Sequence, residues 1–274
     1  MRYYNYTRTE GQYLLTDLVF TQKFGKLIVS LGGNVTTGVD KRVKYDEPEY
    51  NNDYQKRTGK PSDAIFGQTY LGKFLTDDED DQVPQLFDAD LKTGDLKYKD
   101  MNEDGFVDDN DQSMIGHSSP RMFYGINATV RYGNFEFFIT GAGRAFYDLA
   151  LTNSYYWNGY AEGGKPNTYS NFVRDNIGGA YPRLTYNRVN NNFQTSEFWL
   201  TKGDYFKIQN VELAYNIPPK YLSFMGGRGV RIYARGANLL TITQVKDVDP
   251  ESINSGVTNY PLFRTFTGGI KFNF

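Results

Sequence analysis

Residues 122–132 (MFYGINATVRY) alternate strictly, and the tight turn and second alternating run directly after them limit the chain to few folds. Tyr124, Ile126, Ala128, Val130 and Tyr132 share one face, and Phe123, Gly125, Asn127, Thr129 and Arg131 the other. Gly133-Asn134 then forms a two-residue turn into the second run, 135–146 (FEFFITGAGRAF), which is the sequence signature of a β-hairpin. Further strand-like runs occur at 13–24, 27–37, 204–217, 229–240 and 263–274. A tilted strand of about 9–11 residues is long enough to cross a bilayer.

The connections between these runs alternate in length. Short ones fall at 25–26, 133–134 and about 218–228; long ones fall at about 40–121, 147–203 and 241–262. Soluble sandwiches rarely carry long polar loops in this pattern, whereas membrane barrels combine short turns at one end with long loops at the other. The expected fold is therefore all-β: an antiparallel transmembrane β-barrel segment of about seven spanning strands with long extracellular loops. If the C-terminus is periplasmic, strand 263–274 runs inward, and tracing back places every short turn in the periplasm. The run 65–74 (IFGQTYLGKF) reads as one more strand, but another crossing would break this parity. It is assigned to a long outer excursion over 40–121. Seven strands are too few to close a barrel, so residues 1–274 are expected to be part of a larger one. The start, Met1-Arg2-Tyr3-Tyr4-Asn5-Tyr6, lacks an apolar signal-peptide core, which also favours a piece of a longer chain.

Composition agrees with the strand reading. The chain has 23 Tyr, 20 Phe and 28 Gly, residue types that favour strands and turns. A net charge of −2 argues against a nucleic-acid partner. With no cysteine, a thiolate nucleophile or zinc–cysteine site is impossible, and His117 is the only histidine. Its surroundings lack an activated nucleophile, so it reads as a loop residue.

The final strand carries Phe266, Ile270, Phe272 and Phe274 on one face, with Gly268 in register, and Thr267, Gly269, Lys271 and Asn273 on the other. A lipid-facing apolar side and a polar inner side account for this, the lysine included.

The sharpest chemical motif is D-x-N-x-D-G-x-x-D-x-x-D over 100–111. Asp100, Asn102, Asp104, the Phe106 carbonyl, Asp108 and Asp111 occupy calcium-loop positions, with Gly105 where the chain must turn sharply. Hard oxygen donors select Ca²⁺ over transition metals. The last position holds Asp instead of Glu, and the flanks are not helical, so this is a loop and not an EF-hand. The competing reading is an Asx-rich turn that binds no ion. The acidic run Asp77-Asp78-Glu79-Asp80-Asp81 reads mainly as a solvated loop. In the loop over 147–203, Tyr155, Tyr156, Trp157 and Tyr160 present aromatic rings with polar tips. These either stack on a substrate or partner, or pack the loop onto the barrel rim.

Several phrases resemble the SusC/RagA family of TonB-dependent outer-membrane transporters. They are 94–105 (GDLKYKDMNEDG) followed by Asp108, Asp111 and Ile115-Gly116; 206–219 (FKIQNVELAYNIPP); Asn238-Leu239-Leu240-Thr241; Asp247-Val248-Asp249-Pro250-Glu251; Tyr260-Pro261; and the terminal Phe274. The resemblance covers 94–274 in order and spacing, and 1–93 only in texture. It implies a C-terminal barrel portion, the last seven strands of a 22-stranded barrel in a Gram-negative outer membrane. It further implies a SusD-like surface lipoprotein as partner, TonB acting through an N-terminal part not in this chain, recognition by the barrel assembly machinery, and import of oligosaccharides or sometimes peptides. Two other classes compete: a soluble calcium-stabilised glycan-binding module at a cell surface, and a glycosidase using a carboxylate pair. No acid pair is singled out, so the non-enzyme reading is preferred.

Overall fold

The computed structural model describes residues 6–77, 84–88, 91–152, 156–157, 180–183, 185, 188–222, 229–245, 249–252 and 262–272. Seven long strands form one antiparallel sheet: β1 (Arg8–Phe24), β2 (Leu27–Lys44), β7 (Met122–Tyr132), β8 (Phe135–Ala145), β11 (Tyr205–Ile217), β12 (Val230–Thr243) and β13 (Thr265–Phe272), in that spatial order. Sequential hairpins bring each strand beside its predecessor, with β1 and β13 at the two edges. All three short connections lie at one end of the sheet and all three long ones at the other. Gly25 and Gly133 take positive φ (58° and 59°) in the two tight turns, a conformation open to glycine at little steric cost.

Cross-strand register makes the two faces of this sheet chemically different. One face runs from Leu18 and Phe20 through Val29 and Leu31, Ala128 and Val130, Phe137 and Ile139, Val211 and Leu213, and Ile232, to Phe266 and Ile270. Many of these side chains are exposed, Leu213 at 53% and Phe266 at 77%. The other face carries Thr129, Arg131, Glu136, Thr140, Glu212, Arg231, Arg235 and Lys271. There Arg131 binds Glu136, Arg231 bridges Glu136 and Glu212, and Arg235 adds a second cation to Glu212. An ionic ladder on one side and uncovered leucine and phenylalanine on the other suit a barrel wall between lumen and lipid. β1 departs from strict parity, since Tyr13, Leu15 and Val19 project on the polar side and are exposed.

The strand limits differ from those expected at several places. β1 and β2 extend to Arg8 and Lys44, well past the apolar band, because the polar run 38–44 keeps satisfying its backbone through the ladder. β12 continues to Thr243, and β13 begins at Thr265. Phe266, Ile270 and Phe272 share the apolar face as expected; Asn273 and Phe274 lie outside the described residues. The run 65–74 is not one strand. It divides around Gln68 into β3 (Ala64–Gly67), paired with β6 (Ser113–His117), and β4 (Tyr70–Lys73), paired with β5 (Leu96–Tyr98). Both pairs belong to the excursion between β2 and β7, which keeps the crossing parity intact.

The long connections do not hang as separate loops. They pack into one lobe at the end of the sheet opposite the tight turns, completed by β9 (Asp148–Ala150) pairing with β10 (Leu200–Lys202). Leu96, Tyr98 and Val107 from the first connection meet Tyr147, Leu149, Phe193 and Trp199 from the second and Val245 from the third. Trp199 stacks on Phe193 at 6.1 Å and meets Phe198 edge-on at 4.8 Å. Its indole N–H donates to the Asn192 carbonyl at 2.8 Å.

Candidate functional site: the loop lobe and the polar face of the wall

The 100–111 loop is organised by its own carboxylates. Asp100 accepts the backbone N–H of Glu103 at 2.6 Å and of Gly105 at 2.9 Å. Gly105 takes φ 96°, the sharp turn that its position demands. Asn102 donates its amide to Asp104, and Asp104 accepts the Phe106 N–H. Asp108 and Asp111 form a reciprocal capping box on one helical turn, Asp109–Asp111. Asp111 is fully buried; it accepts N–H groups from Met101, Asn102 and Asp108 at 2.7, 3.3 and 2.8 Å. Burial pushes its carboxyl above the ordinary range, against the pull of those donors. The oxygen donor set suits a hard cation. However, among the described residues no group of three or more His, Cys, Asp or Glu side chains converges in a metal-holding arrangement. An ion on Asp111 would share oxygens already engaged with backbone N–H groups.

Gln68 ties this loop to the rest of the lobe. Its side-chain amide donates to the Asp108 carbonyl at 2.9 Å, and its backbone pairs with Thr195 and Glu197. Nearby, buried Asp95 accepts from Asn192 and Arg183, while Asn191 donates to the Leu96 carbonyl. Burial pushes the Asp95 carboxyl up, opposed by Asn192 and Arg183.

Two of the four loop aromatics are placed. Tyr156 is buried in the lobe core at 3% exposure and Trp157 packs against that core, 6.1 Å from Trp199, so these rings hold the lobe together and the Tyr156 face is not available for stacking on a ligand. Tyr155 and Tyr160 lie outside the described residues. So do Asp78, Glu79, Asp80 and Asp81. Asp77 accepts the Thr93 N–H and hydroxyl, both at 2.7 Å, and these bonds hold its carboxyl below the usual range. His117 lies in β6 and not in a loop. Its Nε2 sits 2.9 Å from the Phe146 carbonyl oxygen, and its backbone N–H donates to Asp148.

The sheet offers a site that motif reading does not find. A cavity of about 420 Å³ opens on the polar face, next to the lobe. Asn34, Asn127, Thr140, Arg144, Tyr205 and Gln209 line it. Gln209 enters through a β-bulge, where the register slips between Ile208 and Asn210, and the extra residue adds a polar side chain to this face. The third long connection closes over one side. Lys207 pairs with Asp249 at 2.9 Å and Glu251 at 2.6 Å, and the Tyr205 hydroxyl donates to Glu251 at 2.6 Å. The signal for this site in the sequence is parity: Arg144 lies on the Glu136 face of the 135–146 run.

No family model matches the chain. TonB-dependent receptor P26 of Formosa agariphila is 28% identical over 235 residues, covering 79% of the chain and 23% of that protein. TonB-dependent receptor P3 of the same organism is 26% identical over 234 residues, with 80% and 23% coverage. The chain therefore spans about a quarter of these relatives' length. Among solved structures, the RagAB peptide transporter matches 97% of the chain and 29% of its own chain, with a TM-score of 0.70 and 16% identity. The RagAB peptide importer in its closed-closed state matches with a TM-score of 0.69 and 18% identity. The barrel-wall fold thus has solved counterparts, and the matched proteins are named as TonB-dependent receptors and as a peptide transporter.

Proposed function

We propose that the chain is a partial region of a SusC/RagA-family TonB-dependent transporter, supplying barrel wall and outer loops to an importer in a Gram-negative outer membrane. The observation that carries this reading is the two-faced seven-stranded sheet, apolar on one side and ion-paired on the other, with every tight turn at the same end. On this reading the tight turns face the periplasm, the lobe faces outward, and further strands of the same polypeptide complete a barrel of 22. Unpaired edges of β1 and β13 cannot persist in hydrocarbon, where each free N–H or carbonyl costs several kcal/mol. A soluble glycan-binding module would leave the apolar face wet, which argues against that alternative.

TonB would energise import through a part of the protein outside this chain. A SusD-like surface lipoprotein would sit on the lobe and deliver oligosaccharides or peptides, and the barrel assembly machinery would insert the wall. The test is to tag the full-length protein in its native cells. Recovery from the outer membrane with a surface lipoprotein, and loss of oligosaccharide or peptide uptake on deletion, is the expected result. Recovery in the soluble fraction, with uptake unchanged, would contradict the reading.

We also assign Ca²⁺ to the 100–111 loop, with Asp100, Asn102, Asp104, the Phe106 carbonyl, Asp108 and Asp111 as donors. Supporting it are the donor spacing and the turn at Gly105. Calcium at 100 times its Kd is expected to stabilise the lobe by about 2.7 kcal/mol. Asp104→Ala should remove that gain and leave barrel unfolding unchanged. Identical lobe melting in calcium and in chelator would leave the self-closed Asx turn as the correct description.

A further inference from the structure

We propose that Arg144 is a carboxylate receptor in the lumenal cavity, so that the solute this wall handles carries a carboxylate. The proposal rests on the transporter reading and narrows its substrate class. Phe123, Arg144 and Tyr205 stand side by side on β7, β8 and β11, in direct cross-strand register on the polar face. The guanidinium carbon lies 5.6 Å from the Phe123 ring centroid and 5.9 Å from that of Tyr205. The two aromatic rings flank the guanidinium within cation–π range without using its N–H groups.

Those N–H groups remain available. Among the described residues Arg144 forms no ion pair and donates no hydrogen bond, although arginines elsewhere on the same face are neutralised by Glu136 and Glu212. The acid among the lining residues, Glu251, is engaged by Lys207 Nζ and by the Tyr205 hydroxyl, each at 2.6 Å. Glu251 thus spends its hydrogen bonds on these two groups, helping to hold the Tyr205 ring in place, and Arg144 acts on it only through its charge. A planar fork with five donors and no hydrogen-bond acceptor among the described residues matches a carboxylate in bidentate geometry. The amides of Asn34, Asn127 and Gln209 and the Thr140 hydroxyl surround it with neutral donors and acceptors. Such a lining suits the amide or hydroxyl groups of an oligomer that continues beyond its charged group. The cavity of about 420 Å³ holds a few residues or sugar units of that oligomer.

A peptide C-terminus and a uronic acid both present this carboxylate, and one experiment separates them. Full-length protein in detergent is titrated calorimetrically with a Gly-Ser hexapeptide bearing a free C-terminal carboxylate and with its C-terminal amide. The second pair of probes is tetragalacturonate and its methyl ester. The expected result is a preference of about tenfold or more for the acid in one pair, the pair identifying the source. That preference should fall to about onefold in Arg144→Gln and persist in part in Arg144→Lys, which keeps the charge but not the planar fork. Thermal unfolding of both variants should match the parent. Equal binding of acid and neutral forms, binding of neither pair, or an acid preference unchanged in Arg144→Gln would overturn the proposal. Uptake by cells is scored separately. Intact uptake with no acid preference rejects this site and leaves the transporter standing, whereas absent uptake rejects the transporter itself.

Discussion

Leu213→Arg in the full-length protein is expected to destabilise the folded barrel by about 2–4 kcal/mol, measured by urea titration in lipid vesicles. Leu213 sits near the middle of β11 (Tyr205–Ile217), opposite Phe137 on one side and Ala234 on the other. Its side chain is half-exposed and its cross-strand neighbours on that face are apolar, so a guanidinium there has hydrocarbon around it. Thr129→Arg provides the control. Thr129 pairs with Phe138, which pairs with Glu212, so it lies one residue away in height but on the polar face. An arginine there meets the Glu136 and Glu212 carboxylates and lumenal water, and its cost should be much smaller. Equal costs at the two positions would remove the distinction between a lipid face and a lumenal face.

Trp199→Ala is expected to cost the outer lobe about 3–5 kcal/mol, the range for deleting a buried tryptophan. Trp199 is almost fully buried where segments from the first two long connections meet. Removing the indole takes away the Phe193 stack, the Phe198 edge contact and the N–H bond to Asn192. Hydrogen exchange should rise at 94–98 and 189–199 while β7, β8 and β11 keep their protection. Trp199→Phe keeps most of the ring packing and loses chiefly the N–H bond, and should cost roughly 1 kcal/mol from that bond. Loss of the sheet together with the lobe would show that the two are one cooperative unit, contrary to this account.

How much of the fold was legible in the sequence depends on where each element gets its stability. The spanning strands answer to a local rule: alternate residues meet lipid or lumen. Phe135, Phe137 and Ile139 therefore announce their face without reference to any distant residue. The lobe obeys no such rule. Tyr98 donates its hydroxyl to the Asn191 carbonyl across 93 positions, and Asn192 reaches Asp95 across 97. No periodicity links such segments, so the run 65–74 reads as one strand although it serves two different partners on either side of Gln68. The loop aromatics leave two readings open for a related reason. Composition says that rings cluster near 155–160, but only the fold says that Tyr156 is turned inward. The 100–111 spacing correctly marks a tight carboxylate-organised turn at Gly105. It does not reveal that both Asp111 oxygens are already held by backbone N–H groups. Arg144 is visible as an arginine on the polar face, but its freedom depends on Glu251 being held by Lys207, a contact across 44 positions.

The most direct test of the two-faced wall is nitroxide accessibility along β8 (Phe135–Ala145), in the full-length protein in bilayers. The chain has no cysteine, so single labels in this region need no background removed from it. Labels at Phe135, Phe137 and Ile139 should relax with oxygen, which partitions into hydrocarbon. Labels at Glu136, Phe138 and Thr140 should relax with a water-soluble nickel chelate. A period of two, with the two quenchers out of phase, is the predicted result. Access of the nickel chelate to all six positions alike would contradict the membrane wall and, with it, the transporter built on it.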